Sequence, residues 1–231
     1  MLAAYKGQIR RAMEQRWQPA PHINRIIATG IGCTLVYIAL AIWLRPGDRP
    51  VEYNFVSENG AVTAASALAL AAAGAFALTT AAAVLRSGMG AIWPWTLIAA
   101  GMSFLTIDEV AQIHERIGSR IPLGTDDTAF RNWNDAVVIG YGFVALAIAA
   151  LILPNLLRFP RVVELFAAAM AFYLIHTIVD STQSPPTPVS IIVEESAKLL
   201  TGATLATATF VASWTALCGL VPAGRGAPPQ R

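Results

Sequence analysis

Apolar residues run along this chain in long, nearly unbroken blocks, at 26–44, 61–85, 91–114, 135–157, 162–180 and 191–220. About 20 apolar residues suffice for a helix to cross a bilayer core, and each block reaches that length. In hydrocarbon the backbone N–H and C=O groups must pair within the segment, and the apolar/polar alternation of barrel strands is missing, so the blocks predict helices. The expected fold is all-α: a polytopic membrane protein, a six-helix transmembrane bundle with short loops. The connectors 45–60, 86–90, 115–134, 154–161 and 181–190 carry Pro, Gly or charge, as turns do. The second block is dominated by alanine, interrupted by Ser66, Gly74, Thr79 and Thr80, which predicts close helix packing and permits self-association.

Ahead of the first block, Leu2, Tyr5, Ile9, Met13 and Trp17 recur at helical spacing, while Lys6, Arg10, Arg11 and Arg16 fall between them. This pattern predicts either a short helix lying among headgroups or a solvated basic leader. The expected organisation is a cytoplasmic leader over 1–25, the six-span bundle over 26–220 and a disordered cytoplasmic tail over 221–231. No cleavable signal peptide is expected, because the first apolar block is of full spanning length and no small-residue cleavage site follows it.

Composition agrees with this architecture. Hydrophobic residues make up 55% and charged residues 13%, and the mean hydropathy of +0.55 is too high for an ordinary soluble domain. The net charge of +2 becomes informative only when sorted by side. With the N-terminus in the cytoplasm, Lys6, Arg10, Arg11, Arg16, Arg25, Arg86, Arg158, Arg161, Arg225 and Arg231 fall inside, against Arg45, Arg49, Arg116, Arg120 and Arg131 outside. The positive-inside rule therefore predicts cytoplasmic termini, and a cell inner (plasma) membrane suits such a bundle. Trp43 and Trp133 at the outer boundary, and Trp17, Trp93 and Trp95 at the inner one, fit aromatic belts. Cys33 and Cys218 both lie in apolar blocks, which argues against a disulfide framework.

The acids are more lopsided than the bases. Asp48, Glu52, Glu58, Asp108, Glu109, Glu115, Asp126, Asp127, Asp135, Asp180, Glu194 and Glu195 fall at the outer end, leaving Glu14 and Glu164 inside. The outer face is thus an acidic basin that attracts cations. Three blocks bring ionisable groups to this level. The third ends in Thr106-Ile107-Asp108-Glu109-Val110-Ala111-Gln112-Ile113-His114-Glu115-Arg116. At 100° per residue Asp108, Gln112 and Glu115 share a face and His114 points away, so either the helix loosens near His114 or His114 serves another helix. The fifth carries His176 and Asp180 one turn apart beside Tyr173, so that Asp180 is placed to co-ligate a metal or fix the imidazole tautomer. In the sixth, Glu194, Lys198 and Thr201 form an inward stripe with Thr204 at its edge, and Lys198 can pair with Glu194 or Glu195.

Ionisable groups inside a membrane are costly, at roughly 2.5–3.5 kcal/mol each near a helix centre, so a cluster calls for partners or a purpose. One reading is a carboxylate/histidine metal site ligated by Glu109, His114, His176, Asp180 and Glu194. Mixed N and O ligands suit Zn, Fe or Mn. Glu195, Lys198 and Asp108 are then the candidate catalytic groups, moving protons and stabilising developing negative charge in a hydrolase or oxidase acting on a lipid or other amphipathic substrate. The alternative is a small transporter, a proton or cation path, or an accessory subunit. The plainest reading makes the charges interfacial, with Glu194 and Glu195 capping a helix N-terminus and the rest in headgroup-level ion pairs. There is no G-x-S-x-G, P-loop, H-E-x-x-H or dinucleotide fingerprint, and the sparse inner bases do not indicate nucleic-acid binding. Membrane lipids are the expected partners, with a homo-oligomer or a second membrane subunit left open.

Overall fold

The computed structural model describes residues 2–56, 60–118, 120, 133–182 and 185–220. The tail from 221 lies outside the described residues, as do Glu58, Asp126, Asp127 and Arg131 and the side chains of Trp133 and Asp135. Among the described residues all regular structure is helical. The elements are α1 (Leu2–Glu14), α2 (Ile23–Trp43), α3 (Tyr53–Val56), α4 (Ala61–Ser87), α5 (Trp93–Ala111), α6 (Ile113–Gly118), α7 (Trp133–Leu156), α8 (Val162–Thr182) and α9 (Pro188–Leu220).

Five of these helices, α2, α4, α7, α8 and α9, are long and apolar enough to cross a membrane. The third apolar block is the exception. Its helix, α5, carries Trp93, Pro94 and Trp95 at one end and Asp108 and Glu109 at the other. The uncharged stretch between, 96–107, is about 18 Å long, well short of a hydrocarbon core of roughly 30 Å. The expected continuous helix over 91–114 is also broken: Gln112 adopts a left-handed conformation (φ 53°), ends α5 and starts α6 in a new direction.

The long helix α9 is the spine. Its 33 residues extend over about 50 Å, more than a bilayer core requires. Helix α4 runs parallel to it, with Phe76 meeting Phe210 edge to face at 5.0 Å. The two backbones approach closely at Gly202, where a Cβ would lie 3.4 Å from the Ala69 Cβ and 3.5 Å from the Ser66 carbonyl oxygen. Ala77 and Ala81 of α4 join Ala208, Val211, Ala212 and Ala216 of α9 in one buried core. Between lipid-facing helices such packing is driven by van der Waals contact, so small residues that let backbones approach are what stabilises it. The alanine-rich block is thus used as its composition suggests. α5 lies along the other side of α4, and α8 runs antiparallel along α9.

A second core joins the start of α4 to α2 and α9 through Ala41, Phe55, Val62 and Leu199. Asn54 of α3 fastens it by donating to the Ala41 carbonyl at 2.6 Å, and Tyr37 donates to the Ala61 carbonyl. At the opposite, basic end, Trp17 stacks on Phe159 at 5.6 Å, and Phe159 meets Trp95 edge to face. The Trp17 backbone N–H donates to the Arg158 carbonyl at 2.8 Å, and Tyr5 of α1 donates to the Ala150 carbonyl of α7. The leader is therefore a helix fastened to the bundle at both of its ends.

The Gly202 contact makes a graded prediction. Gly202→Ala adds a methyl at ordinary contact distance and leaves thermal stability in detergent within about 1 kcal/mol, whereas Gly202→Leu overpacks the seam and costs about 1–3 kcal/mol. Melting curves of the two variants check it; equal midpoints would show that α4 and α9 do not approach closely there.

Candidate functional site

The geometry of α9 sets the depth of the polar cluster. Its N-terminus is capped by Thr187, whose Oγ1 accepts from the Ser190 N–H at 3.1 Å while the Ser190 Oγ accepts from the Thr187 N–H at 2.8 Å, and Pro188 occupies the first helical position. The helix therefore begins three residues before the expected 191. Glu194 and Glu195 lie beyond the first turn, where the helix dipole is no longer felt strongly, so they are not capping residues.

Glu195 is an ion-pair partner instead. Lys198 lies 2.9 Å from Glu195 Oε1, one turn back on its own helix, and 3.1 Å from Glu109 Oε1 of α5. The three side chains are only 26%, 13% and 11% exposed for Lys198, Glu195 and Glu109 respectively. The ammonium has three N–H donors, and it stands in ion-pair contact with both carboxylates while Glu109 Oε1 makes no hydrogen bond, so at least one donor is left for another acceptor. The pairing of Lys198 with Glu195 follows from their spacing. That Glu109 completes the bridge from a different helix is a tertiary contact with no local sequence signal.

The second element is built by the break at Gln112. With α5 ended there, Asp108 reaches past the terminus. Its Oδ1 accepts from the His114 backbone N–H at 2.9 Å, capping α6, and its Oδ2 lies 2.8 Å from His114 Nδ1. A regular helix would have turned His114 away from Asp108. The left-handed residue brings it back, so the loosened-helix alternative is the one adopted. Asp108 is 5% exposed, and the Tyr141 hydroxyl of α7 faces the same carboxylate. With Asp108 on Nδ1, the other ring nitrogen, Nε2, is left 3.9 Å from Glu115 Oε1, too far for a hydrogen bond.

His176 of α8 lies within electrostatic reach of both Lys198 and His114 and hydrogen-bonds the Glu194 backbone. Its Nδ1 is buried without a hydrogen-bond partner, so Asp180 does not fix the ring through that atom. Asp180 is close enough to Glu195 to interact with its charge. Further buried hydroxyls with no hydrogen bond occur on the same two helices, those of Ser181 on α8 and of Ser196 and Thr204 on α9. Buried polar atoms in native proteins are nearly always satisfied by protein or ordered water, so the free His176 Nδ1 and Glu195 Oε2 are atoms that water or a ligand can reach with a hydrogen bond. Tyr173 is held in place by donating to the Val138 carbonyl of α7.

All eight candidate residues thus belong to one end of the bundle, contributed by α5, α6, α8 and α9. The expected metal ligand set is not supported. Among the described residues no three His, Cys, Asp or Glu side chains are placed to hold a metal ion. The physical reason is visible in the contacts: Glu109 is drawn to Lys198, and Asp108 occupies the His114 nitrogen nearest it. Tyr141 was absent from the expected site. Its only sequence signal is a hydroxyl two turns into an otherwise apolar block.

Among the described residues, helices alone, five of them long and apolar enough to cross a membrane, with a polar cluster at one end, form an architecture compatible with a helical membrane protein. The chain belongs to the family described as Domain of unknown function (DUF8692), whose model matches residues 26–214, nearly the whole bundle. No curated protein and no solved structure matches it.

Two variants test the geometry. Lys198→Met leaves Glu109 and Glu195 facing each other without a cation and destabilises the protein by about 3–5 kcal/mol, while the triple replacement with Glu109→Gln and Glu195→Gln recovers most of that loss. Thermal unfolding in detergent reads both. Asp108→Ala removes the α6 cap and frees the segment around His114, so amide exchange there rises at least about tenfold while α9 is unaffected.

Proposed function

We propose that the acidic end carries a proton-transfer site at the outer face of the membrane, and that the protein is an enzyme acting by general acid–base chemistry on a lipid or other amphipathic substrate. The observation that carries this reading is the Asp108–His114 pair. A carboxylate bound at Nδ1 holds the proton on that nitrogen, orients the ring and stabilises the imidazolium, which leaves Nε2 as the basic atom. Lys198 supplies a fixed positive charge nearby, with a donor still uncommitted for an oxygen that becomes negative during reaction. Glu195 Oε2, buried and without a hydrogen bond, is placed to exchange a proton.

In this reading the chain crosses the membrane six times with both termini cytoplasmic and the membrane is the cell inner membrane; the 19 residues of α5, about 28 Å, make the sixth crossing with Trp93–Trp95 and Asp108–Glu109 at headgroup level. The bias of Lys and Arg toward the basic end supports that orientation. Both imidazoles keep one ring nitrogen without a hydrogen bond to a carboxylate, but among the described residues no three ligand-type side chains are grouped to hold a metal, so no step is assigned to a metal.

A second reading, a proton or cation path, is favoured by one observation: below Lys198, α9 buries Thr204, Thr207, Thr209, Ser213 and Thr215. Thr207 and Thr209 bond back to their own helix, and no Asp, Glu, His, Lys or Arg follows Lys198 along α9, which leaves the enzymatic reading ahead.

The test is to present the purified protein with a panel of phospholipids and sphingolipids and follow products by mass spectrometry, with metal quantified per chain. Turnover falling about 10²–10⁴-fold in His114→Ala is the expected result. Turnover unchanged in His114→Ala sinks the reading. Near-stoichiometric Zn, Fe or Mn that disappears when His114 and His176 are both replaced would put metal chemistry in its place. Proton flux in proteoliposomes abolished by Lys198→Ala, with no lipid turned over, would favour the path.

A further inference from the structure

At the basic end, about a bilayer's thickness from the polar cluster, a groove of about 440 Å³ opens between the segment leading into α2 and the one leading into α8. Its walls are His22, Asn24, Arg25, Pro160 and Arg161. Its floor is apolar, with Ala20 and Ile23 buried. The volume lies within the range of small-molecule sites. Arg25 has no acidic partner among the described residues, and Arg161 has only a distant, exposed contact with Glu164 at 3.8 Å. Carboxylates are scarce at this end: of Glu14 and Glu164, the first is engaged by Arg10 at 3.1 Å. The groove therefore presents the guanidinium of Arg25, without an acidic partner among the described residues, and that of Arg161, held only by a loose surface contact, together with the apolar Ala20 and Ile23.

Guanidinium groups recognise phosphate by paired N–H donors, and basic pockets between helices at the membrane surface suit anionic headgroups. A free phosphate would use the arginines but gain nothing from the apolar floor, whereas a phospholipid uses both. We infer that this groove binds an anionic phospholipid of the leaflet at the basic end, with Arg25 and Arg161 on the phosphate and the Ala20–Ile23 floor against the glycerol and first acyl carbons. The site is independent of the acid–base reading, depending only on the chain lying in a membrane.

Native mass spectrometry of the detergent-purified full chain, titrated with short-chain phosphatidylglycerol or phosphatidylcholine, tests it. Phosphatidylglycerol is expected to bind in preference, and the double variant Arg25→Gln, Arg161→Gln to weaken that binding roughly twentyfold, at about fivefold per arginine. The variant Arg10→Gln, Arg11→Gln removes equal charge from α1 and should change affinity less than about twofold. Because all four positions are exposed, folding is not at stake, and an unchanged elution profile confirms this. Equal weakening in both double variants would reduce the effect to general surface charge and overturn the site. So would equal binding of the two lipids. Displacement of the lipid by millimolar inorganic phosphate would reassign the groove to a soluble phosphate and overturn the lipid assignment.

Discussion

A lysine ammonium at the edge of a hydrocarbon layer has to be neutralised where it stands, and the way Lys198 meets that requirement organises the acidic end of this protein. One of its carboxylates, Glu195, is on the same helix and costs little to bring in. The other, Glu109, has to arrive from α5, which fixes the axial position of α5 against α9. Once Glu109 is anchored, Asp108 on the adjoining face is fixed too, and with it the point at which α5 stops. The left-handed turn at Gln112, the cap on α6 and the orientation of the His114 ring follow within six residues of Asp108 along the chain.

Each polar group brought into the cluster makes the next one affordable. A buried carboxylate alone would be protonated or destabilising, but beside a lysine and an oriented imidazole it can remain as a working acid or base. His176, approached from α8 and resting on the Glu194 backbone, is the least committed member, and its free Nδ1 gives the cluster an acceptor that its carboxylates do not use up. The pairs thus leave specific atoms available: one ammonium donor, one imidazole nitrogen on each histidine and one oxygen of Glu195.

Local periodicity is enough to read much of this architecture from the sequence. The apolar blocks locate α2, α4, α7, α8 and α9, the alanine content of α4 anticipates its close packing, and the spacing of Glu195 and Lys198 anticipates their pairing. Topology alone places the candidate residues at one end, because alternate helices reverse direction. What periodicity misses is tertiary in origin. A glutamine in left-handed conformation is locally unfavourable and is held there by the bonds Asp108 makes beyond it, so no window centred on Gln112 would mark a break. The Glu109–Lys198 bridge joins residues nearly ninety positions apart. The metal reading failed to gain support for a related reason: ligand-type residues on neighbouring helices say nothing about whether a nearer cation takes their charge first.

The length of α9 has a consequence for assembly. From Leu199 to Leu220 it carries no charge over about 22 residues, enough by themselves to satisfy a bilayer core. The segment can therefore settle in lipid as an independent unit, with Lys198 and Glu195 still among headgroups and water, before any neighbour is in place. The clamp with α5 can close afterwards, as the bundle gathers, so that insertion and specific association are separate events and an α5 that docks in the wrong register is detected by the one pairing it fails to make.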